Sequence, residues 1–243
     1  MTTLVLLPGL ASDGALWRDQ LPALRAQDEL PLHVTDVHSR YATLPEMAAA
    51  LLVEHHGPLV LAGASMGGIL ALEVWQQAPQ RVAGLALLGS SARADTAELV
   101  ALRTQACELF AVGRMAEVLR ANLMFAFHPD RVRDTPLIGD YLAMMDRAGA
   151  DQLIRQNRAI MARPDRRPRL PEIRCPTLVV CGDSDQLTPP DCSRELAAGI
   201  SGSRLEILPE CGHMLTWERP QAVSQLLRDW LLGNHWASST TGR

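Results

Sequence analysis

The 243-residue chain contains no lysine, since all 23 of its basic residues are arginine. A protein without lysine can form no lysine Schiff base with a carbonyl substrate, and it has no lysine to place in a phosphate-binding loop. The composition therefore excludes Schiff-base enzymes and nucleotide hydrolases of the P-loop type.

The chain also lacks any cysteine pair with the C-x-x-C spacing of a metal or redox motif. The five cysteines are odd in number and include no C-x-x-C, which argues against a disulfide framework and a zinc site. No apolar run reaches the roughly 18 residues of a membrane span. The strand-like pattern begins at residue 3, so we expect no targeting segment. We therefore expect a cytoplasmic protein with no metal and no membrane partner.

The net charge of −4 gives no electrostatic reason for a nucleic-acid partner. With 47% hydrophobic and 21% charged residues, a chain of this length can bury the core of one large domain. The sequence carries no signal of oligomeric state.

The segment 63–67 has the pattern Gly-x-Ser-x-Gly, follows the apolar run 58–62 and leads into a helical pattern. A serine on so tight a strand-to-helix turn has a strained backbone, and small residues two positions away, here Gly63 and Gly67, relieve the crowding. The turn exposes the hydroxyl, and the following helix points its N–H groups toward the reacting atoms. The pattern predicts that Ser65 is a nucleophile.

A base and an acid follow two later strand patterns. Asp185 lies in the polar loop after the predicted strand 177–181, and His213 lies in the loop after 204–208. The order Ser, Asp, His, each just past a strand end, suits the crevice of an open parallel sheet. Asp183, two residues earlier in the same loop, could be the acid itself, or it could cap or brace the loop. The spacing Gly-x-x-Asp-x-x-x-Pro in 182–189 favours Asp185 as the acid.

Other hydroxyls and imidazoles have simpler explanations. Ser90 and Ser91 follow a strand end but lack the flanking glycines, so we interpret them as loop or helix-start hydroxyls. His55 and His56 lie at a predicted helix end, where a cation suits the helix dipole.

These residues resemble those of the α/β-hydrolase superfamily, and the resemblance covers nearly the whole chain. It implies that Ser65, Asp185 and His213 form a catalytic triad. The run from Leu6 to Trp17 resembles that of a bacterial subgroup of small carboxylesterase-like hydrolases. The segments that carry the resemblance are 7–10, 63–68, 182–189 and 211–213.

The same resemblance implies that the backbone N–H groups of Leu10 and Met66 form an oxyanion hole. Many family members have a histidine where this chain has Pro8. Because the donor is a backbone N–H one residue past Gly9, we expect the hole to be retained while the support of its loop differs.

Hydrophobic runs alternate with helical patterns, which predicts an α/β fold: a mainly parallel, doubly wound sheet of the α/β-hydrolase type with a helical cap insertion. The predicted strands are 3–7, 32–37, 58–63, 82–88, 177–181 and 204–208. The predicted helices are 15–27, 44–56, 66–78, 190–199 and 219–232.

The interval 91–169 contains no strand pattern. Its helical patterns at 96–110, 114–127, 137–148 and 150–161 predict a helical cap, or lid, inserted into a core domain of residues 1–90 and 170–236. Residues 237–243 read as a flexible tail.

In the family such a cap covers the serine and shapes the substrate pocket. The apolar candidates for substrate contact are Met124, Phe125, Phe127, Met144 and Met145, with Trp17 as a pocket wall. For each residue taken alone, a place in the packed interior is the stronger interpretation, since Met and Phe at helical spacing are usually core residues.

The sequence therefore predicts a serine esterase whose partner is a small-molecule ester and whose chemistry requires no cofactor. Two alternatives remain open. One is a carbon–carbon bond or enol-lactone hydrolase of aromatic catabolism, which would use the same triad, and the other is a ligand-sensing protein of this fold with little turnover.

Overall fold

The computed structural model describes residues 1–26 and 30–236. Within them, one sheet contains six strands, all parallel, in the order β2-β1-β3-β4-β5-β6. The predicted parallel sheet is confirmed. The strands are β1 (Thr3–Leu7), β2 (Leu32–Val34), β3 (Leu59–Ala64), β4 (Val82–Leu88), β5 (Thr177–Gly182) and β6 (Arg204–Leu208).

Helices cover both faces of the sheet, and this explains why its central strands are apolar throughout. Alternate residues of β1 enter different buried clusters: Leu4 and Leu6 face one side, and Val5 and Leu7 the other. The helices are α1 (Leu21–Arg25), α2 (Val37–Arg40), α3 (Leu44–Glu54), α4 (Met66–Gln77), α5 (Ala97–Ala111), α6 (Met115–Ala121), α7 (Leu123–Ala126), α8 (Thr135–Met161), α9 (Pro190–Gly199), α10 (Leu215–Glu218) and α11 (Pro220–Leu232).

The predicted helix 15–27 is replaced by a 3-10 turn at Gly14–Trp17 followed by the short helix α1. Pro22 lies in the first turn of α1, where it has no N–H to donate to the preceding turn, so a new helix begins there. Residue 27 lies outside the described residues.

The predicted strand 32–37 is also shorter, because β2 ends at Val34. The Oγ1 atom of Thr35 accepts a hydrogen bond from the N–H of Val37 at 3.3 Å. This contact turns the chain out of the sheet and into α2.

Four helices, α5 to α8, occupy the interval between β4 and β5. The predicted helix 114–127 is divided at Asn122 into α6 and α7. The predicted helices 137–148 and 150–161 join in α8 at Gly149, whose backbone (φ 73°, ψ 170°) breaks the helical geometry. Side chains of this insertion share a buried cluster with one face of the sheet.

The carboxyl ends of all six strands lie at one edge of the sheet, because the strands are parallel. The loops that follow β1, β3, β5 and β6 therefore meet there. In the described ranges no helix has both the length and the apolar character that a membrane span requires. The predicted tail, 237–243, falls outside those ranges.

Candidate active site

Ser65 forms the turn between β3 and α4, with a backbone conformation (φ 53°, ψ −116°) that residues other than glycine rarely adopt. Its N–H donates to the carbonyl of Leu88 in β4 at 2.8 Å. A Cβ added to Gly63 would lie 2.2 Å from the carbonyl oxygen of Gly67, and one added to Gly67 would lie 2.0 Å from the oxygen of Leu7. Both glycines are therefore required for the turn to fit against its neighbours.

The three predicted polar residues lie in hydrogen-bond contact, although they come from three separate loops. The Nε2 atom of His213 is 2.9 Å from the Oγ of Ser65, and its Nδ1 atom is 2.8 Å from Oδ2 of Asp185. Because the carboxylate can only accept, Nδ1 donates and Nε2 of the neutral ring is free to accept the serine proton.

Asp185 is buried in a loop that supplies several donors. Its Oδ1 accepts the N–H groups of Leu187 and Thr188 at 2.9 Å each, and its Oδ2 accepts the hydroxyl of Thr188 at 2.8 Å. Burial by itself raises the pKa of Asp185, but the charge of His213 and these hydrogen bonds outweigh it, so the pKa lies below its usual value. The carboxylate is kept ionised beside the imidazole.

His213 is enclosed, with only 9% of its side chain exposed. Burial lowers the pKa of His213, whereas the charge and hydrogen bond of Asp185 raise it, and the net pKa lies above the usual value of 6.5. The imidazolium that would form when Ser65 gives up its proton is therefore stabilised by the protein.

A buried carboxylate, Glu218 of α10, holds the loop that carries His213. It accepts the N–H groups of Gly212 (3.1 Å) and Met214 (3.2 Å) on either side of the histidine. It also accepts the N–H of His128 from the insertion at 2.8 Å. Burial raises the pKa of Glu218 above its usual value despite these three donors. By holding the backbone on both sides of His213, Glu218 fixes the position of the imidazole.

Sequence reasoning missed Glu218 and Thr188 as parts of this arrangement. Glu218 follows His213 by five residues, close to the start of a helix, and a carboxylate so placed can reach back to backbone N–H groups. Thr188 lies three residues after Asp185, which is the spacing of a local side-chain bond in a turn. These two spacings are the sequence features that could have indicated the supporting roles of Glu218 and Thr188.

Asp183, the alternative acid, has a different position. It accepts the N–H groups of Glu210 at 3.0 Å and Cys211 at 3.2 Å, so it joins the loop after β5 to the loop after β6. Asp185, not Asp183, is the carboxylate that contacts His213.

The loop after β1 approaches the serine from the other side. A Cβ on Gly9 would lie 3.4 Å from the Cβ of Ser65 and 3.3 Å from the carbonyl oxygen of Ala64. Met66 is the first residue of α4, where a helix N–H has no partner within the helix. This is the environment of the two N–H groups, of Leu10 and Met66, that are predicted to bind an oxyanion.

The predicted substrate-contact residues divide into two groups. Trp17, Phe127, Met144 and Met145 are buried and belong to one apolar cluster. Met124 and Phe125 are instead 58% and 38% exposed on the surface of the insertion. Met124 and Phe125 therefore lie apart from the buried group, and substrate contact stays a prediction for all six residues.

A cavity of about 270 Å³ lies between the insertion and the loops that follow β1 and β2. Its lining includes Ser12 from the loop after β1 and Met144 and Arg147 from α8. The hydroxyl of Ser12 is 3.6 Å from the position of a Cβ on Gly9, the residue that abuts Ser65. The cavity thus adjoins the loop that approaches Ser65, and Ser65 is not among its lining residues.

Across residues 1–26 and 30–236, no three His, Cys, Asp or Glu side chains are grouped as a metal site would need. The thiol nearest to the site in sequence, Cys211, is fully buried, and burial raises its pKa. A protonated, inaccessible thiol is a poor nucleophile.

Comparison with known proteins identifies relatives that match most of the chain. The model of the alpha/beta hydrolase family matches residues 4–226. A putative carbamate hydrolase of Serratia proteamaculans is 27% identical over 95% of this chain and 91% of the relative. The 2-hydroxy-6-oxononadienedioate/2-hydroxy-6-oxononatrienedioate hydrolase of Escherichia coli K12 is 31% identical over 70% of this chain and 61% of the relative.

Among solved structures, a thermophilic esterase from Thermogutta terrifontis superposes with a TM-score of 0.85. It is 26% identical to this chain, and the superposition covers 96% of this chain and 90% of the esterase.

Proposed function

The chain belongs to the alpha/beta hydrolase family, and we propose that this hydrolase cleaves carboxylic esters of small to medium acyl or alcohol groups through an acyl-enzyme intermediate. The observation that carries the proposal is the continuous chain of hydrogen bonds from Ser65 through His213 to Asp185, at 2.9 and 2.8 Å. In this proposal the three residues form a catalytic triad.

In the first step, the Oγ of Ser65 attacks the ester carbonyl carbon while Nε2 of His213 takes the hydroxyl proton. Asp185 holds the ring in the tautomer whose Nε2 can accept, and its charge stabilises the imidazolium. The tetrahedral intermediate then expels the alcohol oxygen, which receives the proton from Nε2. The products of this half-reaction are a free alcohol and an ester on Ser65.

In the second half-reaction, water is the nucleophile and Ser65 is the leaving group. Nε2 of His213 takes a proton from the water, whose oxygen attacks the carbonyl carbon of the acyl-enzyme. When this second intermediate collapses, the Oγ of Ser65 leaves and recovers its proton from the imidazolium. The carboxylic acid is released, and no cofactor takes part.

The N–H groups of Leu10 and Met66 are the proposed donors to the oxyanion that forms in both intermediates. A donor of this kind contributes about 3–4 kcal/mol to the transition state. The location of Gly9 against Ser65, and of Met66 at the start of α4, supports this assignment.

A carbon–carbon bond hydrolase is the second candidate function. The relative from Escherichia coli K12, 31% identical over 70% of this chain, favours it. The same serine, base and acid would serve, so the two candidates differ in the bond that the pocket presents to Ser65.

The test is the hydrolysis of p-nitrophenyl esters from acetyl to decanoyl, compared with cleavage of a vinylogous 1,5-diketone. We expect ester turnover that depends on chain length and is lost in Ser65→Ala, while the matched control Ser91→Ala retains it. Turnover of the diketone without ester turnover would favour the second candidate. Saturable ester binding with no turnover would instead indicate a ligand-sensing protein.

A further inference from the structure

One buried glutamine joins the insertion to the loop that approaches Ser65. Gln156, in the second half of α8, has no exposed surface. Its Oε1 accepts the backbone N–H of Ala11 at 2.7 Å, and its Nε2 donates to the carbonyl of His38 at 2.9 Å. Since an N–H needs an acceptor and a carbonyl needs a donor, the two partners fix the orientation of the amide.

Ala11 is a position where the loop requires support. Its φ of 51° lies in the left-handed region, which costs a residue with a Cβ roughly 1–2 kcal/mol. The N–H bonded by Gln156 belongs to this strained residue, directly after Leu10. If that bond is lost, the backbone can relax to a negative φ, and the adjacent peptide groups then rotate.

A second contact holds the next residue of the loop. The ring of His38, itself buried, donates from Nε2 to the carbonyl of Ser12 at 2.8 Å. Burial lowers the pKa of His38, which keeps the ring neutral. Gln156 and His38 are also hydrogen-bonded to each other. The two buried residues together hold Ala11 and Ser12, which are consecutive in the loop.

We propose that Gln156 is a positioning residue, through which the insertion holds the loop after β1 with the Leu10 N–H aimed at the oxyanion. The inference rests on the proposed function of that loop. It gives the insertion a part in the chemistry in addition to any part in covering the substrate.

The expected signature separates positioning from folding. If the Leu10 N–H is misdirected, its hydrogen bond to the oxyanion weakens. The oxyanion is absent from the bound substrate and develops in the transition state, so kcat falls while KM changes little. A displacement of about 1 Å in such a site costs on the order of 100-fold in rate. We expect Gln156→Met, which has similar size but no hydrogen-bonding amide, to lower kcat for p-nitrophenyl butyrate by about 10- to 100-fold.

Affinity for a transition-state analogue gives a second readout. A trifluoromethyl ketone adds to Ser65 and places an oxyanion in the hole, so its Ki in Gln156→Met is expected to rise by a factor similar to the fall in kcat. Gln156→Glu is the rescue variant, because a protonated carboxyl can accept from Ala11 and donate to His38 as the amide does. It should retain kcat within about fivefold.

Gln20→Met is the matched control. Gln20 is equally buried, and its amide donates to the backbone carbonyls of Thr216 and Pro220, not to the loop after β1. We expect it to lower the melting temperature as much as Gln156→Met does, with kcat within about twofold of wild type.

The inference is overturned if folded Gln156→Met keeps the wild-type kcat and Ki. It is also overturned if Gln20→Met shows an equally large fall in kcat and rise in Ki. Should Gln156→Met fail to fold, Gln156→Asn decides, because its shorter amide cannot keep both bonds; wild-type kcat in that variant would also overturn the inference. Absence of ester turnover in the wild type would contradict the proposed function instead. The rate of fluorophosphonate reaction at Ser65, which uses the same oxyanion position, would then decide the role of Gln156.

Discussion

Replacing Asp185 by asparagine should switch the tautomer of His213 without disturbing the fold. The two N–H groups at 2.9 Å from Oδ1, those of Leu187 and Thr188, require an acceptor. The amide oxygen of the introduced asparagine must therefore occupy that position, which places the NH2 group where Oδ2 now faces Nδ1 of His213 at 2.8 Å. An NH2 can only donate, so Nδ1 becomes the acceptor and the ring proton moves to Nε2.

A proton on Nε2 prevents this nitrogen from accepting the proton of Ser65. The expected loss in kcat is about 10⁴-fold, the size known for this tautomer switch in serine proteases. At 1.36 kcal/mol per tenfold, this corresponds to about 5 kcal/mol of transition-state stabilisation. Steady-state hydrolysis of p-nitrophenyl butyrate measures kcat, and thermal unfolding confirms that the variant is folded.

Asp183→Asn is the control, since Asp183 lies two residues away and contacts backbone N–H groups instead of His213. We expect its kcat to stay within about tenfold of wild type, because it removes a loop contact and not a member of the triad. The proposed tautomer switch is refuted if Asp185→Asn retains more than about a tenth of wild-type kcat, or if Asp183→Asn loses as much as Asp185→Asn.

The same contacts lead to three further predictions. Activity requires neutral His213, whose pKa is raised by Asp185, so kcat/KM should fall as pH decreases through a value above 6.5; a midpoint below 6.5 would contradict this. Glu218→Gln places an NH2 among backbone donors and removes a charge that also raises the pKa of His213, so the melting temperature and the acid midpoint of kcat/KM should both decrease; an unchanged midpoint would oppose it. Gly67→Ala should lower the free energy of unfolding in urea by about 3 kcal/mol or more, because its Cβ would meet a β1 carbonyl oxygen at 2.0 Å; Gly139→Ala, whose Cβ would meet no atom within 4 Å beyond its own helix backbone and chain neighbours, should be neutral or stabilising.

The nucleophile's turn could be predicted because its requirements are local. The glycines at 63 and 67 are needed where a Cβ would meet backbone atoms at 2.2 and 2.0 Å, and the alternation of apolar runs with helical patterns located the strands on either side. The structure has β1 at Thr3–Leu7 and β4 at Val82–Leu88, which are the predicted bounds.

The contacts that hold the site could not be predicted in the same way. Gln156 is 145 residues from Ala11 in sequence. Nothing in the sequence around it distinguishes it from other polar residues of a helix. The short helix α1 has a proline in its first turn, and β2 ends early at a side-chain contact of Thr35; both local effects compete with the hydrophobic pattern. The contact of Gln156 with Ala11 therefore depends on proximity that the fold produces, whereas α1 and β2 depend on local contacts that the hydrophobic pattern does not reveal.

The acid was a choice between two aspartates that the sequence could not fully separate. Asp183 and Asp185 lie in one loop, and their spacing to His213 is nearly equal. The spacing Gly-x-x-Asp-x-x-x-Pro in 182–189 favours Asp185, and in the structure the direction of the loop after Gly182 separates the two residues. That direction brings Asp185 to 2.8 Å from the imidazole and leaves Asp183 on the backbone of the loop after β6.

The most direct test of the proposed mechanism is peptide mass spectrometry after treatment with a fluorophosphonate. Attack by Ser65 forms an oxygen–phosphorus bond, releases fluoride and leaves its proton on His213, so the adduct reports the activated nucleophile whichever substrate the enzyme prefers. We predict one adduct per chain, on Ser65, absent in His213→Ala and in urea-unfolded protein. An adduct on another residue, or none on Ser65 in the folded wild type, would contradict the mechanism.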